Sequence, residues 1–220
     1  MVIRAMQTED LPAVARVHKD SYRDDHTTAH FPVRLLTELY ACYLQAGAWC
    51  YVADDAGRIV GFLIGGSPNV GSAVKDRFTR SQWAAIAGAV VRSPRLWPMI
   101  ALSRLRGVRR QWRRRRRPSI AASSSTPATA SYAVLASIAV RSDCQRSGVA
   151  RALARAFEQD VVAHGYPKYR TFVRKSNTPS CAFFVSLGAT VRFTTDDTLC
   201  FAVVPASVER RSPDESMGVA

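Results

Sequence analysis

Apolar residues recur three and four apart in two early stretches of the chain. In TEDLPAVARVHKDSY, Leu11, Val14, Ala15 and Val17 share one helical face, with Thr8 placed as the N-cap and acids in the first turn. In PVRLLTELYACYLQAG, Leu35, Leu36, Leu39, Tyr40 and Tyr43 repeat the spacing, and Gly47 marks the stop. VIRAM, ahead of both, is a short strand. AWCYVADDAGRIVGFLIGG then reads as two strands about a turn at Asp54-Asp55-Ala56-Gly57, the strongest hairpin signal in the sequence.

Beyond Gly66 the periodicity changes. Residues 73–91 and 95–113 predict two helices separated by Ser93-Pro94, and SIAASSSTPATAS is a low-complexity link. YAVLASIAV follows, nine residues without a charge and too short for a helix of that burial, which predicts a central strand. Val149, Leu153, Ala156, Phe157, Asp160 and Val161 trace a helix ended by His164-Gly165. YRTFVRK is a strand, NTPSCAFFVSLGA a short helix with Gly188 just past its end, and TVRFTTDDTLCFAVVP a pair turning at Asp196-Asp197. Residues 205–220 read as a disordered tail.

Composition sharpens this picture in two ways. The net charge of +14 is not spread over the chain, because residues 71–118 hold 14 of the 31 bases and one acid, leaving 17 bases and 16 acids elsewhere. The basic character therefore belongs to one segment. Five cysteines, an odd number without CxxC spacing, argue against a disulfide framework and a structural zinc site, so reduced thiols are expected. At 220 residues one ordinary domain with an insertion is expected. The opening lacks a signal-peptide pattern and no stretch reaches a membrane span, which predicts a cytoplasmic protein.

The chemistry concentrates where the uncharged strand meets the next helix. Gln145, Arg146, Ser147 and Gly148 occupy that turn, and such a turn aims a helix's first free amides at the space beyond the strand. The helix N-terminus and a nest of successive amides attract anions there. The pattern is neither GxGxxG nor GxxxxGK[ST]. Read alone, it is equally a solvated connection.

The run V-x4-Q-x-x-G-x-A, followed about 30 residues later by NTPSCAFFVSLGA, resembles the GNAT superfamily of acyl-CoA-dependent N-acetyltransferases. The resemblance covers about residues 1–66 and 131–204. It implies an α/β GNAT (acyl-CoA N-acyltransferase) fold, a mixed central sheet flanked by helices. Residues 1–204 would be one domain, interrupted at 71–130 by the basic helical insertion and its linker. Gln145, Arg146, Ser147, Gly148, Val149 and Ala150 stand where the family binds the pyrophosphate of coenzyme A. Asn177, Ser180, Phe183, Phe184, Gly188 and Ala189 match its second cofactor segment. Backbone groups of Ile138, Ala139 and Val140 would pair with the pantetheine arm in a V-shaped opening between residues 132–140 and 169–174. The implied reaction moves an acetyl group from acetyl-CoA, as co-substrate and without a metal, to a primary amine. A small-molecule acceptor such as an amino sugar is the first expectation, a protein amine the second. A catalytically degenerate GNAT fold acting as a binding module is the rival class.

Two departures from the family pattern matter. Phe184 stands where a tyrosine often protonates the departing thiolate, and the uncharged strand has no acid to serve as base, though Ser137 could orient a water there. The acceptor side is then the place to seek a base, in HKDSYRDDHTTAHF, with His18, Asp20, Tyr22, Asp24, Asp25, His26 and His30. His18, His30 and Ser137 are the catalytic candidates. The alternative is a solvated helix end with capping acids. His26-x3-His30 has metal-ligand spacing but no predicted helix beneath it, so no metal site is expected.

The basic segment admits three readings. Its apolar positions, Phe78 and Trp83 among them, would pack as a cap over the acceptor opening. Residues 73–117 would otherwise make peripheral contact with anionic lipid. Arg113 to Arg117 would contact nucleic acid only on the least favoured reading. The sequence leaves the oligomeric state open, a homodimer included.

Overall fold

The computed structural model describes residues 1–22, 27–92 and 132–206. Among them seven strands form one sheet, β1 (Val2–Ala5), β2 (Trp49–Asp55), β3 (Arg58–Gly66), β4 (Ala133–Val140), β5 (Tyr169–Arg174), β6 (Thr190–Thr194) and β7 (Thr198–Val203). Their order is β1-β2-β3-β4-β5-β7-β6, antiparallel throughout except for the parallel pair β4 and β5. The sheet is mixed and flanked by helices, as expected, and the uncharged strand sits at its centre.

Two layers of side chains hold helices to the sheet. Helices α1 (Leu11–Ser21) and α2 (Val33–Gln45) bury Val14, Val17, Leu35, Leu36 and Tyr40 against Val52, Phe62 and Ile64. On the other face α4 (Val149–Ala163) buries Leu153, Phe157 and Val161 against Val60, Leu63, Leu135 and Tyr169. Strand alternation explains why Phe62 and Leu63 serve opposite layers. Gly65 lets α4 come close, since a Cβ there would stand 2.6 Å from the Val134 carbonyl oxygen and run into the Phe157 ring.

The hairpin turns on Ala56 and Gly57, at φ 52° and 84°, the left-handed pair that a two-residue connection requires. Its first acid helps, Asp54 accepting from the Gly57 amide at 2.7 Å. The beginning of α1 departs from expectation. Thr8 is not the cap of a helix but the first residue of a 3₁₀ turn, Thr8–Asp10, which Gln7 and Asp10 close as a reciprocal capping pair. Asp10 instead stacks a second duty on this, holding Arg4 through two bonds of 2.7 and 2.8 Å.

The segment after β3 begins with α3 (Val70–Arg92), longer at both ends than the predicted 73–91. Val74 and Phe78 are buried in the layer of α1 and α2, with Phe78 tilted against Phe31 at 6.3 Å. Phe78 therefore packs inside the protein and is not available to an interfacial membrane face. The predicted helix 95–113, the pentarginine and the Ser/Ala/Thr/Pro link lie outside the described residues, as does the tail beyond Ala206. No helix among the described residues is long and apolar enough to cross a membrane. The five cysteines are free thiols.

Candidate active site

Strands β4 and β5 pair only at Ala133 with Tyr169 and Val134 with Arg170, then part. A bulge near Ala136 on β4 accompanies the parting, where the register to β3 jumps between Ile64 opposite Ser137 and Gly65 opposite Leu135. Ala136 is exposed, so a strand chosen for its lack of charge is buried only in part. Beyond the bulge the Arg141 amide donates to the Val60 carbonyl at 2.9 Å. By the two-residue period, the main-chain groups of Ala139 also address β3, whereas those of Ile138 and Val140 address the gap. The Val140 carbonyl accepts from Ser21 Oγ at 2.9 Å and from Gln145 Nε2 at 3.3 Å. Of the three residues expected to pair with an extended ligand, Ala139 thus has its groups committed to the sheet.

The strand ends in an exposed turn that leads into the N-terminus of α4. Ser142–Cys144 form a 3₁₀ turn, Arg146 takes φ 62°, and Gly148 caps α4 at φ 88° without a side-chain bond to the helix. A Cβ on Gly148 would meet nothing within 4 Å, so here glycine answers a left-handed backbone rather than a crowded one. Residues 145 to 148 are exposed, and the first amides of a 15-residue helix face outward beside them. Ser147 Oγ is turned inward, donating to the Cys144 carbonyl at 2.6 Å. Gln145 likewise closes the turn on β4 through the Val140 carbonyl. The one acid in the turn does not oppose an anion, because Arg58 and Arg141 hold Asp143 at 2.6 and 3.1 Å. The Arg141 and Arg58 guanidinium groups keep the Asp143 carboxyl well below the usual carboxylate range.

The second motif packs against the core to different depths. Asn177 caps α5 (Thr178–Val185), its side chain accepting from the Ser180 amide at 3.2 Å. Phe183 is half-buried. Phe184 is 1% exposed and stacks on Phe201 at 6.0 Å, so it belongs to the hydrophobic core and not to a ligand contact. An aromatic run at helical spacing sends adjacent rings to different sides, and the core took this one.

The end of α1 is stitched to β4 and the turn by three consecutive residues. Asp20 accepts from the Ser142 amide at 2.7 Å, Ser21 reaches Val140, and Tyr22 Oη lies 2.6 Å from Ser137 Oγ. Ser137 thus meets the end of α1, with a phenol as its partner. His18 does not reach the opening. It is 2% exposed, stacked flat on Tyr22 at 3.9 Å, with Nδ1 at 2.5 Å from Tyr40 Oη and Nε2 at 2.9 Å from Thr28 Oγ1. The expectation of His18 as a direct base is therefore corrected, because Tyr22, Tyr40 and Thr28 enclose the ring. His30 ends a 3₁₀ turn, Thr27–His30, and is half-buried. Asp24, Asp25 and His26 lie outside the described residues. Among the described residues no cluster of three His, Cys, Asp or Glu could hold a metal.

Two site residues escape the sequence reading. Tyr22 counts there only as one member of a polar loop, and Tyr40 as one apolar position of a stripe. A hydroxyl on a core stripe is the legible signal, since a buried phenol needs a partner. Burial pushes the Tyr40 phenol well above its ordinary pKa, and it also raises that of Tyr22, which the Ser137 bond partly offsets.

Comparison with known proteins agrees with this geometry. Residues 109–189 match the model of the acetyltransferase (GNAT) family. No curated protein matches the chain. Among solved structures, the ribosomal-protein-S18-alanine N-acetyltransferase of Escherichia coli is 16% identical, with 99% of each chain covered and a TM-score of 0.54. An N-acetyltransferase of Staphylococcus aureus is 15% identical, covering 92% of this chain and 97% of its own, at 0.56. The PaiA N-acetyltransferase of Thermoplasma acidophilum, in complex with coenzyme A, is 12% identical, covering 92% and 98%, at 0.55. Together with the mixed sheet and the parted central strands, these likenesses give the chain the fold of the GNAT acetyltransferases.

Proposed function

We propose that residues 1–204 act as one domain, with 71–130 as an insertion, that transfers the acetyl group of acetyl-CoA to a primary amine beside Ser137 and Tyr22. The observation that carries this reading is the parting of β4 from β5 after Val134, which opens a line of main-chain groups running to the Gly148 turn. An extended, amide-bearing carrier with an anionic end fits that line, because it can add as a strand and end on helix amides. Acetyl-CoA supplies the activated acyl group. Ile138 and the Val140 amide hold the arm, and the amides of Arg146 to Ala150 hold the phosphates. Asn177, Ser180 and Phe183 border the far side. Most of the acceleration comes from positioning, with main-chain N–H groups polarising the carbonyl.

A small amine such as an amino sugar is the first acceptor class. A protein amine is the second, favoured by likeness to the E. coli ribosomal-protein alanine acetyltransferase and to a Naa20 bound to a bisubstrate analogue. Free-thiol release from acetyl-CoA, measured over amino sugars, other small amines and alanine-terminated peptides, separates the two classes. Coenzyme A binding is tested first by thermal shift, where 100 times the dissociation constant adds about 2.7 kcal/mol. A flat melting curve with coenzyme A overturns the reading.

A further inference from the structure

The layer of α1 and α2 stops at β4. None of its residues comes from β5, β6 or β7, whereas Tyr169, Val173, Phe201 and Val203 pack in the layer of α4. Alternation therefore turns Arg170, Phe172 and Arg174 to the face away from α4. Ser137 shares that face. It stands opposite Ile64, a residue of the α1 and α2 layer, and Val134 stands opposite Gly66, two positions further along β3. Arg170 pairs with Val134 at the last rung before β4 and β5 part. On the same face Phe172 and Phe193 are 57% and 48% exposed, their rings 6.1 Å apart on either side of Cys200, with which both are in register. Two large apolar side chains left open side by side mark an interaction surface.

The charge on this face is unbalanced at Arg170. Its Nε is buried with no hydrogen-bond partner, and no carboxylate pairs with the guanidinium among the described residues. The guanidinium lies over the Tyr132 ring at 3.9 Å. Such a contact fixes the plane of the fork but leaves its N–H donors, which lie in that plane, to other partners. A buried donor left unpaired costs stability, and a charged one costs more. The acids of this half of the sheet, Asp196 and Asp197, precede Thr198, which is level with Arg174, while Arg170 is level with Ala202. They stand at the other end of the strand.

We propose that Arg170 is an anion subsite for the acceptor, and that the acceptor is the N-terminus of a polypeptide with an acidic and an apolar side chain among its first residues. This rests on the acetyltransferase reading above, and of its acceptor classes it speaks for the protein amine. Val134 and Ser137 are three residues apart, at most about 10 Å along β4. The guanidinium leans toward Tyr132, on the far side of Val134 from Ser137. An amine at Ser137 and a carboxylate at Arg170 are thus held further apart than in a free α-amino acid, where both groups sit on one carbon. A peptide whose acid follows its first residue spans that gap. The open face also suits a chain, since small ligands bind in concave pockets that bury most of their surface, whereas an extended segment can lie across a sheet. Phe172 and Phe193 then receive the apolar side chain.

The test gives the full chain, saturated with acetyl-CoA, a set of alanine-terminated hexapeptides with phenylalanine third. They carry glutamate second, glutamine second, or glutamate moved to the last position. The first should show kcat/KM about tenfold above the others, the low end for a hydrogen bond to a charged group, and the gain should lie in KM. Arg170→Gln should remove that preference while turnover of the glutamine peptide and coenzyme A binding stay as in wild type. Equal wild-type rates, or a preference that survives in Arg170→Gln, would overturn the subsite. Should that variant not fold, the wild-type comparison still decides, because mere overall basicity would reward glutamate at the last position equally. Transfer to γ-aminobutyrate with every peptide inert would give the anion site to a small molecule and overturn the polypeptide. A dimer in sedimentation that Phe172→Asp dissolves, again with inert peptides, would give the face to a second copy of the chain and overturn it too. Thermal shift with coenzyme A separates the failures: no shift removes the acetyltransferase reading and its acceptor together, whereas a normal shift with equal or inert peptides removes the subsite alone.

Discussion

Tyr22 Oη and Ser137 Oγ stand 2.6 Å apart although 115 residues separate them in the chain. The bond ties the last turn of α1 to the strand that borders the cleft. Tyr22→Phe keeps the ring stacked on His18 and removes only the hydroxyl. It should lower stability by about 1 kcal/mol, the usual net worth of such a bond. Urea unfolding checks this, the midpoint moving down with the slope unchanged.

Gly148 holds φ 88° with open space where a side chain would go. Gly148→Glu should therefore fold, at a cost of about 1–2 kcal/mol for a left-handed non-glycine residue. On the proposed reading its carboxylate would lie among the amides that receive phosphate. Calorimetry should show coenzyme A binding lost while the far-UV spectrum stays native. Normal binding by this variant would place the phosphates elsewhere.

A tyrosine at position 184 reads in the sequence as a way to restore an acid beside the thiolate. The structure gives the opposite expectation, because Phe184 is packed against Phe183 and Phe201. Phe184→Tyr would bury a hydroxyl among rings, with a penalty of about 1–3 kcal/mol if it finds no partner. We expect a lower melting temperature and no gain in turnover, measured on the same acceptor.

Asp10 carries a pH-dependent part of the stability. Its hydrogen bonds from the Arg4 guanidinium, with help from the Gln7 amide, outweigh burial and hold the carboxyl below its ordinary pKa. A depressed carboxyl stabilises the fold above the pKa it has when unfolded, and that contribution is lost as the pH falls through the folded-state value. Asp10→Asn should cost about 1.5–3 kcal/mol at pH 7, as for a hydrogen bond to a charged group. Chemical denaturation over a pH series should show the gap between wild type and variant closing on acidification below the carboxylate range.

The order of strands and helices was legible in the sequence because it is written in local terms. Alternation, helical spacing and turn residues such as Ala56-Gly57 act over a few positions, and all seven strands lie where those signals put them. Gly148 was legible for the same reason, since a strand, a polar turn and a helix follow one another without a break. The fates of individual side chains were not. His18 and Phe184 each had a polar or family context that suggested the cleft, and each was drawn into a layer by neighbours from distant segments. Tyr40 shows the converse, an apolar-stripe residue whose hydroxyl meets the buried His18 ring. The sequence by itself determined the elements, their order and the glycine turn before α4, since each depends on contiguous residues. Only the tertiary structure decided which hydroxyls and rings meet, because Tyr22 and Ser137, and Tyr40 and His18, come together from distant segments, and no pattern within one segment encodes that.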